Sequence, residues 1–418
     1  MRFNDLDAWL HWQETLHPSE IELGLDRVSE VARRMGVLEN QSKVITVAGT
    51  NGKGSSLSML ESIYRAAGYQ TGLYTSPHIH RYNERIRING LEVQDDLLCQ
   101  AFESVDQARG DISLSYFEFG TLAALQIFSG SHLDILLLEI GLGGRLDAVN
   151  IVDADVALIT AIDIDHVDWL GGDRETIGRE KAGIMRQGHV AVVSDPGPPG
   201  SISDYADEVG AHCLQAGRDY HFLRHEQGWE WSLGDVHYSE LPAPALQGEF
   251  QYQNAAGVLA VIEMLKADMP VSDQAVVQGL STAQCPGRMM RLSQSPEVII
   301  DVAHNPQSVR SLAQYLSQHP VKGRTVAVLG VMADKDVGQM LEVLRPLISS
   351  WYLVRPDVAR AMSLESLAEA LSEAGLQGKI CGEVMQGLQA ARQEVSKEDR
   401  IIVFGSFFTV AEAMPEAV

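Results

Sequence analysis

Two apolar periods alternate along this chain. Val44–Val47 reads as a continuous apolar run of strand length. A glycine-rich turn follows, and then Leu57, Leu60, Ile63, Tyr64 and Ala67 recur at helical spacing, with Gly68 placed to cap the helix. The same rhythm predicts strands over Gln70–Thr75, Leu133–Ile140, Ala154–Ile162 and His189–Ser194, and helices over Gln94–Ala108, Tyr116–Phe128, Arg174–Met185 and Tyr252–Ala267. Pro196 to Gly200, PGPPG, breaks the series. His221–Glu240 is polar and aromatic with Gly-Trp and Gly-Asp turns, which predicts small antiparallel strands inserted at the edge.

A second series begins after Cys285-Pro286-Gly287-Arg288. Strands are predicted over Val298–Val302, Thr325–Val331, Trp351–Val354 and Ile401–Phe404, and helices near Ser308–Ser317, Val337–Leu347, Ser363–Ala374 and Glu383–Val395. Strand and helix alternate throughout, so the expected class is α/β with mostly parallel strands. The division falls near residues 284–296. It gives an N-terminal domain over 1–285, a P-loop-ATPase-like sheet flanked by helices with a small antiparallel edge sheet. A Rossmann-like α/β domain follows over 286–418.

Composition narrows the function. The 418 residues carry 32 basic and 56 acidic side chains, a net charge of −24. That balance disfavours nucleic acid or an anionic membrane as partner, and any anionic ligand then needs a local positive site. The longest apolar runs, such as Ile135–Leu138, are far below the ~20 residues of a membrane span. The N-terminus has neither the basic nor the apolar region of a signal peptide. The four cysteines are scattered and form no metal or redox motif, as expected for thiols in a reducing, cytoplasmic setting.

The chemistry starts at AGTNGKGS, Ala48–Ser55. Backbone N–H groups without side chains in the way can wrap a polyphosphate, and Lys53 adds charge where β- and γ-phosphates lie. The loop departs from G-x-x-x-x-G-K-[ST]: Val47 stands at the first glycine, and Gly54 precedes Ser55 where Ser/Thr is usual. Its context, strand then turn then helix, is what phosphate binding requires.

Other polar groups end predicted strands, the place where open α/β sheets bind ligands. Ser76 follows the second strand and offers a hydroxyl to metal or phosphate, or forms a Ser-Pro turn. Glu139 ends an apolar strand, where a carboxylate is costly without a partner and Mg²⁺ fits. The glycines after it are not a dinucleotide fingerprint, because Leu146 holds the third-glycine position. His166 ends a strand beside Asp163 and Asp165; as a metal ligand it suits Mn²⁺ more than Mg²⁺. Lys181, by spacing alone, reads as a salt-bridged helix lysine. Beyond the boundary, Arg288 is placed to neutralise phosphate and Asp301 to accept from ribose or adenine, with Gln253 and Asn254 as amide contacts; His304 is either part of such a site or a helix-start residue. No G-x-S-x-G elbow is present.

AGTNGKGS, YTSPHIHRYNERIRING, YFEFGT, LEIGLGGRLDAVN, DIDHVDWLG, EKAGI, PGRM and DVAHNP occur in this order. Together they resemble the bacterial bifunctional dihydrofolate synthase/folylpolyglutamate synthase family of the Mur-ligase superfamily, from Ile21 to Phe407. The resemblance implies that Thr50, Asn51, Gly52, Lys53 and Gly54 hold ATP phosphates, with Asn254, Arg288 and Asp301 completing the nucleotide site. It implies Mg²⁺, one or two ions, on Ser76, Glu139 and His166, and carbamylation of Lys181 into a carboxylate-like group. Lys53, Lys181 and His166 become the catalytic set. Leu23, Gly24, Ser115, Tyr116, Phe117, Glu118, Arg145, Leu146, Asp147 and Ala148 fall in segments that line the pterin site. Departures are conservative: Phe119 where Tyr is common, Ser55 where Thr is common.

The implied activity is an ATP-dependent amide ligase. It adds L-glutamate to 7,8-dihydropteroate and to reduced folates through an acyl phosphate, acting as a monomer without nucleic acid or membrane. Such chemistry needs in-line positioning and charge neutralisation rather than a protein nucleophile, and domain closure would keep water from the intermediate. Two rivals are a Mur-type ligase for a nucleotide-linked sugar peptide, which would call for an extra N-terminal domain, and a nucleotide switch, which would leave Ser115–Glu118, Arg288 and Asp301 without a purpose.

Overall fold

The computed structural model describes residues 1–19, 21–39, 41–226 and 228–414. The chain forms two compact units, Met1–Ala245 with Tyr252–Gln284, and Leu246–Gln251 with Cys285–Val418. The short Leu246–Gln251 segment of the second unit carries no mark in the sequence pattern.

The first unit is built on eight strands: β1 (Lys43–Ala48), β2 (Thr71–Tyr74), β3 (Ile86–Ile88), β4 (Leu91–Glu92), β5 (Ile135–Glu139), β6 (Val156–Ile159), β7 (Val190–Val193) and β8 (His212–Gln215). Their order is β4-β3-β2-β5-β1-β6-β7-β8, parallel from β2 to β8. The antiparallel edge is β3 and β4, two strands too short to register as periodic. Register aligns the carboxyl ends: Val47 pairs with Glu139, Tyr74 with Leu138, and Ala48 with Ile159. The loops after β1, β2, β5 and β6 therefore leave from one edge. Strands buried on both faces read as unbroken apolar runs, and β1, β5 and β6 do so.

The His221–Glu240 region, which includes the undescribed residue 227, forms a sheet of its own rather than extending an edge. Its strands are β9 (Tyr220–His225), β10 (Gly228–Leu233) and β11 (Val236–Leu241). Trp229, Trp231 and Tyr238 are buried from alternate positions, so this sheet needs an apolar partner. It finds one in the helix Phe250–Leu265, where the Trp231 indole N–H donates to the Ala256 carbonyl at 3.0 Å.

The second unit has six strands, β12 (Met290–Gln294), β13 (Glu297–Asp301), β14 (Thr325–Leu329), β15 (Ser350–Val354), β16 (Gly378–Gly382) and β17 (Arg400–Phe404), ordered β12-β13-β17-β14-β15-β16. Only β12 is antiparallel. Successive strand side chains point to opposite faces. Ile299, Ala327, Leu353 and Ile402 accordingly join one apolar cluster, and Val298, Val326, Tyr352 and Ile401 another.

Candidate active site

The turn after β1 is held by backbone and by Thr50. Thr50 N–H donates to the Ala161 carbonyl at 2.8 Å, its hydroxyl donates to the Asp163 carbonyl at 2.9 Å, and Asp163 N–H returns a bond to that hydroxyl at 3.1 Å. The loops after β1 and β6 are thus one structure. Gly52 sits at φ +96°, and a β-carbon there would lie 2.6 Å from Asn254 Oδ1. Both the left-handed backbone and the amide demand glycine. Asn254, 4% exposed, thereby joins the loop from a helix two hundred residues further on. Lys53 begins the helix Lys53–Ala66, and its ammonium donates to the Gly49 and Thr50 carbonyls at 3.1 and 3.4 Å. The lysine therefore lies across the loop it follows. The far end closes as the glycine signal predicted: Gly68 takes φ +91° and donates to the Arg65 carbonyl at 3.0 Å.

Glu139 is 5% exposed at the end of β5, and Ser76 N–H donates to its Oε2 at 3.2 Å. A serine hydroxyl and a carboxylate are hard-oxygen donors of the kind that suit Mg²⁺ or Mn²⁺, and this contact brings the two residues together. No cluster of three His, Cys, Asp or Glu side chains positioned for a metal occurs among the described residues. His166 is exposed, at φ +51°, and starts the short helix Val167–Leu170. The flanking acids do local work: Asp163 Oδ1 accepts Ile164 N–H at 2.8 Å and Asp165 Oδ1 accepts His166 N–H at 2.9 Å.

Lys181 does not behave as a surface helix lysine. It is 3% exposed in the helix Arg174–Ala182. Burial, reinforced by the Lys53 charge and opposed by Asp165 and Asp147, pushes its amine down to about 7. Asp147, 2% exposed, is pushed up to about 7 by burial, although its carboxylate accepts Leu142 and Val149 N–H at 2.8 and 3.0 Å. Two buried ionisable groups shifted toward neutrality are candidates for a functional site. The loop holding Asp147 abuts the lysine helix: Arg145 N–H donates to the Glu180 carbonyl at 2.8 Å, and Asn150 Nδ2 donates to the Arg145 and Gly183 carbonyls at 3.1 and 3.0 Å. Asn150 carries no signal in the sequence, because its role is to join its own loop to Gly183 and Arg186, more than thirty residues on.

The segments expected to line the pterin site converge. Gly24 N–H donates to the Leu146 carbonyl at 3.2 Å. Ser115 caps the helix Tyr116–Ser129, and Glu118 returns the bond by accepting Ser115 N–H at 2.7 Å, a capping box. Phe117 stacks on Tyr74 with centroids 6.0 Å apart, and its ring occupies the space over Gly141. Tyr116 packs edge-on to Tyr82. Ala148 is buried, while Leu23 and Leu146 are half-buried. Arg145 is exposed and its guanidinium pairs with Glu180 at 2.8 Å.

In the second unit, Asp301 ends β13 and accepts Met289 and Ala303 N–H, both at 2.8 Å. It is buried, which raises its carboxyl, while the Arg288 charge opposes the rise. The Arg288 guanidinium lies 5.0 Å from the Phe407 ring centroid. Asn305 caps the helix Pro306–Gln318, and His304 Nδ1 lies 2.8 Å from the Val302 carbonyl.

A glycine-turned phosphate loop, a buried carboxylate at the next strand end and a second α/β unit together define a nucleotide-dependent ligase architecture. Family models agree: the Mur ligase middle domain matches residues 47–262, and the Mur ligase glutamate ligase domain matches residues 287–407. The dihydrofolate synthase/folylpolyglutamate synthase of Escherichia coli K12 is 44% identical over 98% of this chain and 94% of its own length. E. coli FolC in complex with DHPP and ADP superposes with a TM-score of 0.94 at 44% identity, over 98% of this chain and 97% of that one. A bifunctional folylpolyglutamate synthase/dihydrofolate synthase with Mn, AMPPNP and L-glutamate bound gives 0.92 at 45% identity, over 98% and 97%. The chain belongs to the dihydrofolate synthase/folylpolyglutamate synthase family of Mur ligases.

Proposed function

We propose that this protein is an ATP-dependent ligase that adds L-glutamate to 7,8-dihydropteroate, giving dihydrofolate, and to reduced folates, giving folylpolyglutamates. The observation that carries this reading is the convergence on one sheet edge of the Lys53 loop, the Ser76–Glu139 pair and the Asp147–Lys181 pair.

In the proposed reaction an acceptor carboxylate oxygen attacks the γ-phosphorus and ADP leaves. The glutamate nitrogen then attacks the acyl carbon, phosphate leaves, and a proton is lost from nitrogen. Thr50 to Gly54 bind and orient the phosphates, and Lys53 neutralises charge as it shifts toward ADP. Asn254, Arg288 and Asp301 are assigned to the nucleotide. Ser76, Glu139 and His166 would hold Mg²⁺, which supplies charge neutralisation at the phosphoryl oxygens. Leu23, Gly24, Ser115 to Glu118 and Arg145 to Ala148 are assigned to the acceptor. We assign the phosphate loop and acceptor binding to residues 1–285 and glutamate ligation, with Arg288 and Asp301, to 286–418, and place a monomer in the cytoplasm, in keeping with four free thiols.

Lys181 is proposed to be carbamylated. An amine near 7 spends about half its time neutral at that pH. Its lone pair can then bond to CO₂ carbon with loss of a proton, leaving an anionic carbamate suited to a second Mg²⁺.

The test is ADP release with Mg²⁺, ATP and L-glutamate, adding dihydropteroate or tetrahydrofolate. Stimulation by both is expected. Stimulation by neither would end this reading, and by one alone would remove bifunctionality.

A further inference from the structure

A chain of polar contacts crosses the acceptor side of the first unit and includes no residue assigned above except Glu118. His17 Nδ1 lies 2.7 Å from Ser113 Oγ, and His17 Nε2 lies 2.8 Å from Glu22 Oε2. The other Glu22 oxygen pairs with Arg27 NH1. Arg27 NH2 donates to the Glu22 carbonyl at 3.2 Å and to both Glu118 oxygens at 3.1 and 3.3 Å. Glu118 is 3% exposed and is the return arm of the Ser115 capping box. One guanidinium therefore ties the Glu22 backbone and side chain to the first turn of the helix Tyr116–Ser129.

The loop so held runs through Leu23 and Gly24, and Gly24 is fastened on its other side to Leu146. Three segments that are distant in sequence are locked into one wall by Arg27 and the Gly24–Leu146 bond. Arginine suits this duty, because a planar fork addresses a carboxylate and a second acceptor together where an ammonium is a point charge. A buried carboxylate without its cation is costly, so removing Arg27 forces Glu118 to find another arrangement and frees the loop.

We infer that Arg27 is a positioning residue for the acceptor, holding the Glu22–Leu25 loop against the Ser115–Glu118 turn so that acceptors without a glutamate tail can bind. The inference rests on the functional reading above. An acceptor ending at the aminobenzoate carboxylate has only its ring system to bind by. A folate that already carries glutamate has further groups and tolerates a looser wall. Loss of pre-organisation raises the cost of binding without touching the phosphate loop.

The experiment measures KM and kcat for ADP release by the wild type, Arg27→Lys, Arg27→Ala and Glu22→Gln. Dihydropteroate, tetrahydrofolate and ATP are varied in turn. Arg27→Ala is expected to raise KM for dihydropteroate at least tenfold and KM for tetrahydrofolate by a clearly smaller factor, with KM for ATP within about twofold. Arg27→Lys and Glu22→Gln, which preserve bulk, should show the same ordering at reduced size. Glu22→Gln combined with Arg27→Lys should cost less than the product of the two single effects, as expected for side chains acting through one contact. Unchanged KM for dihydropteroate in the folded Lys and Gln variants overturns the inference. So do equal losses for all three substrates, which mark a general structural role. A wild type that dihydropteroate fails to stimulate overturns the functional reading and this inference together, whereas a responsive wild type whose variants keep its KM for dihydropteroate overturns the inference alone.

Discussion

Gly144 lies directly against Lys181: a β-carbon on Gly144 would fall 3.0 Å from Lys181 Cα and 2.6 Å from the Glu180 carbonyl oxygen. Both are backbone atoms that cannot swing aside. Gly144→Ala should therefore push the lysine helix outward, at a cost of about 1–3 kcal/mol for overpacking. Thermal unfolding should report that loss. ADP release should fall by more than the unfolded fraction explains, and unchanged turnover in a destabilised protein would separate Lys181 placement from activity.

Lys53 donates to two carbonyls of its own loop and supplies local positive charge at the turn of a chain whose net charge is −24. Lys53→Ala should lower kcat by at least about a hundredfold, the scale of removing one charge-stabilising donor. Circular dichroism should show the fold unchanged. A near-normal kcat would remove the phosphate role.

Lys181 predicts a pH dependence. Its folded value, about 7, lies below the ordinary 10.5, so the unfolded chain binds the proton more readily. Stability carried by this group is present above the unfolded value and declines as pH falls toward 7. The neutral amine, and with it carbamate formation, should increase as pH rises through 7. Carbon-13 NMR in labelled bicarbonate should show a carbamate resonance growing from pH 6 to 8 and missing in Lys181→Ala, whose activity small carboxylic acids should partly restore. A resonance that persists in Lys181→Ala would assign the carbamate elsewhere.

Glu139 should control metal affinity. Glu139→Gln keeps the Ser76 contact in reach but removes the charge, so the Mg²⁺ concentration needed for half-maximal turnover should rise about tenfold or more, with Mn²⁺ partly compensating. Equal Mg²⁺ titrations of variant and wild type would take Glu139 out of the donor set.

Much of the fold was legible in the sequence because parallel strands buried on both faces announce themselves as apolar runs. The strands at 43–48, 135–139 and 325–329 needed no partner to be seen. What escaped lacks that signature. Leu91–Glu92 is two residues long, and Gly378–Gly382 is mostly exposed. The helix Asp273–Thr282 becomes explicable only from the face it lays on Lys53–Ala66, where Ser62 and Thr282 hydroxyls meet at 3.1 Å.

The site divides in the same way. Loop residues such as Gly52, Lys53 and Glu139 are legible because motif and strand end coincide. Arg27 and Asn150 are not, since their work is to bridge segments tens of residues away. Lys181 was visible only by family resemblance. Its spacing is that of an ordinary helix lysine, and its character comes from burial beside Lys53 and Asp147.

The register that brings Glu139 level with Val47, and Ala48 level with Ile159, separates two tasks. Strand interiors answer to packing, while the strand ends and loops at the shared edge carry the proposed ligand contacts. On the proposed assignment, new acceptor preferences would arise from side-chain changes within 23–24, 115–118 and 145–148, while backbone approaches such as Gly144 against Lys181 stay fixed. For anyone redesigning this protein, the side chains on those loops are the adjustable parts and the sheet beneath them is the chassis.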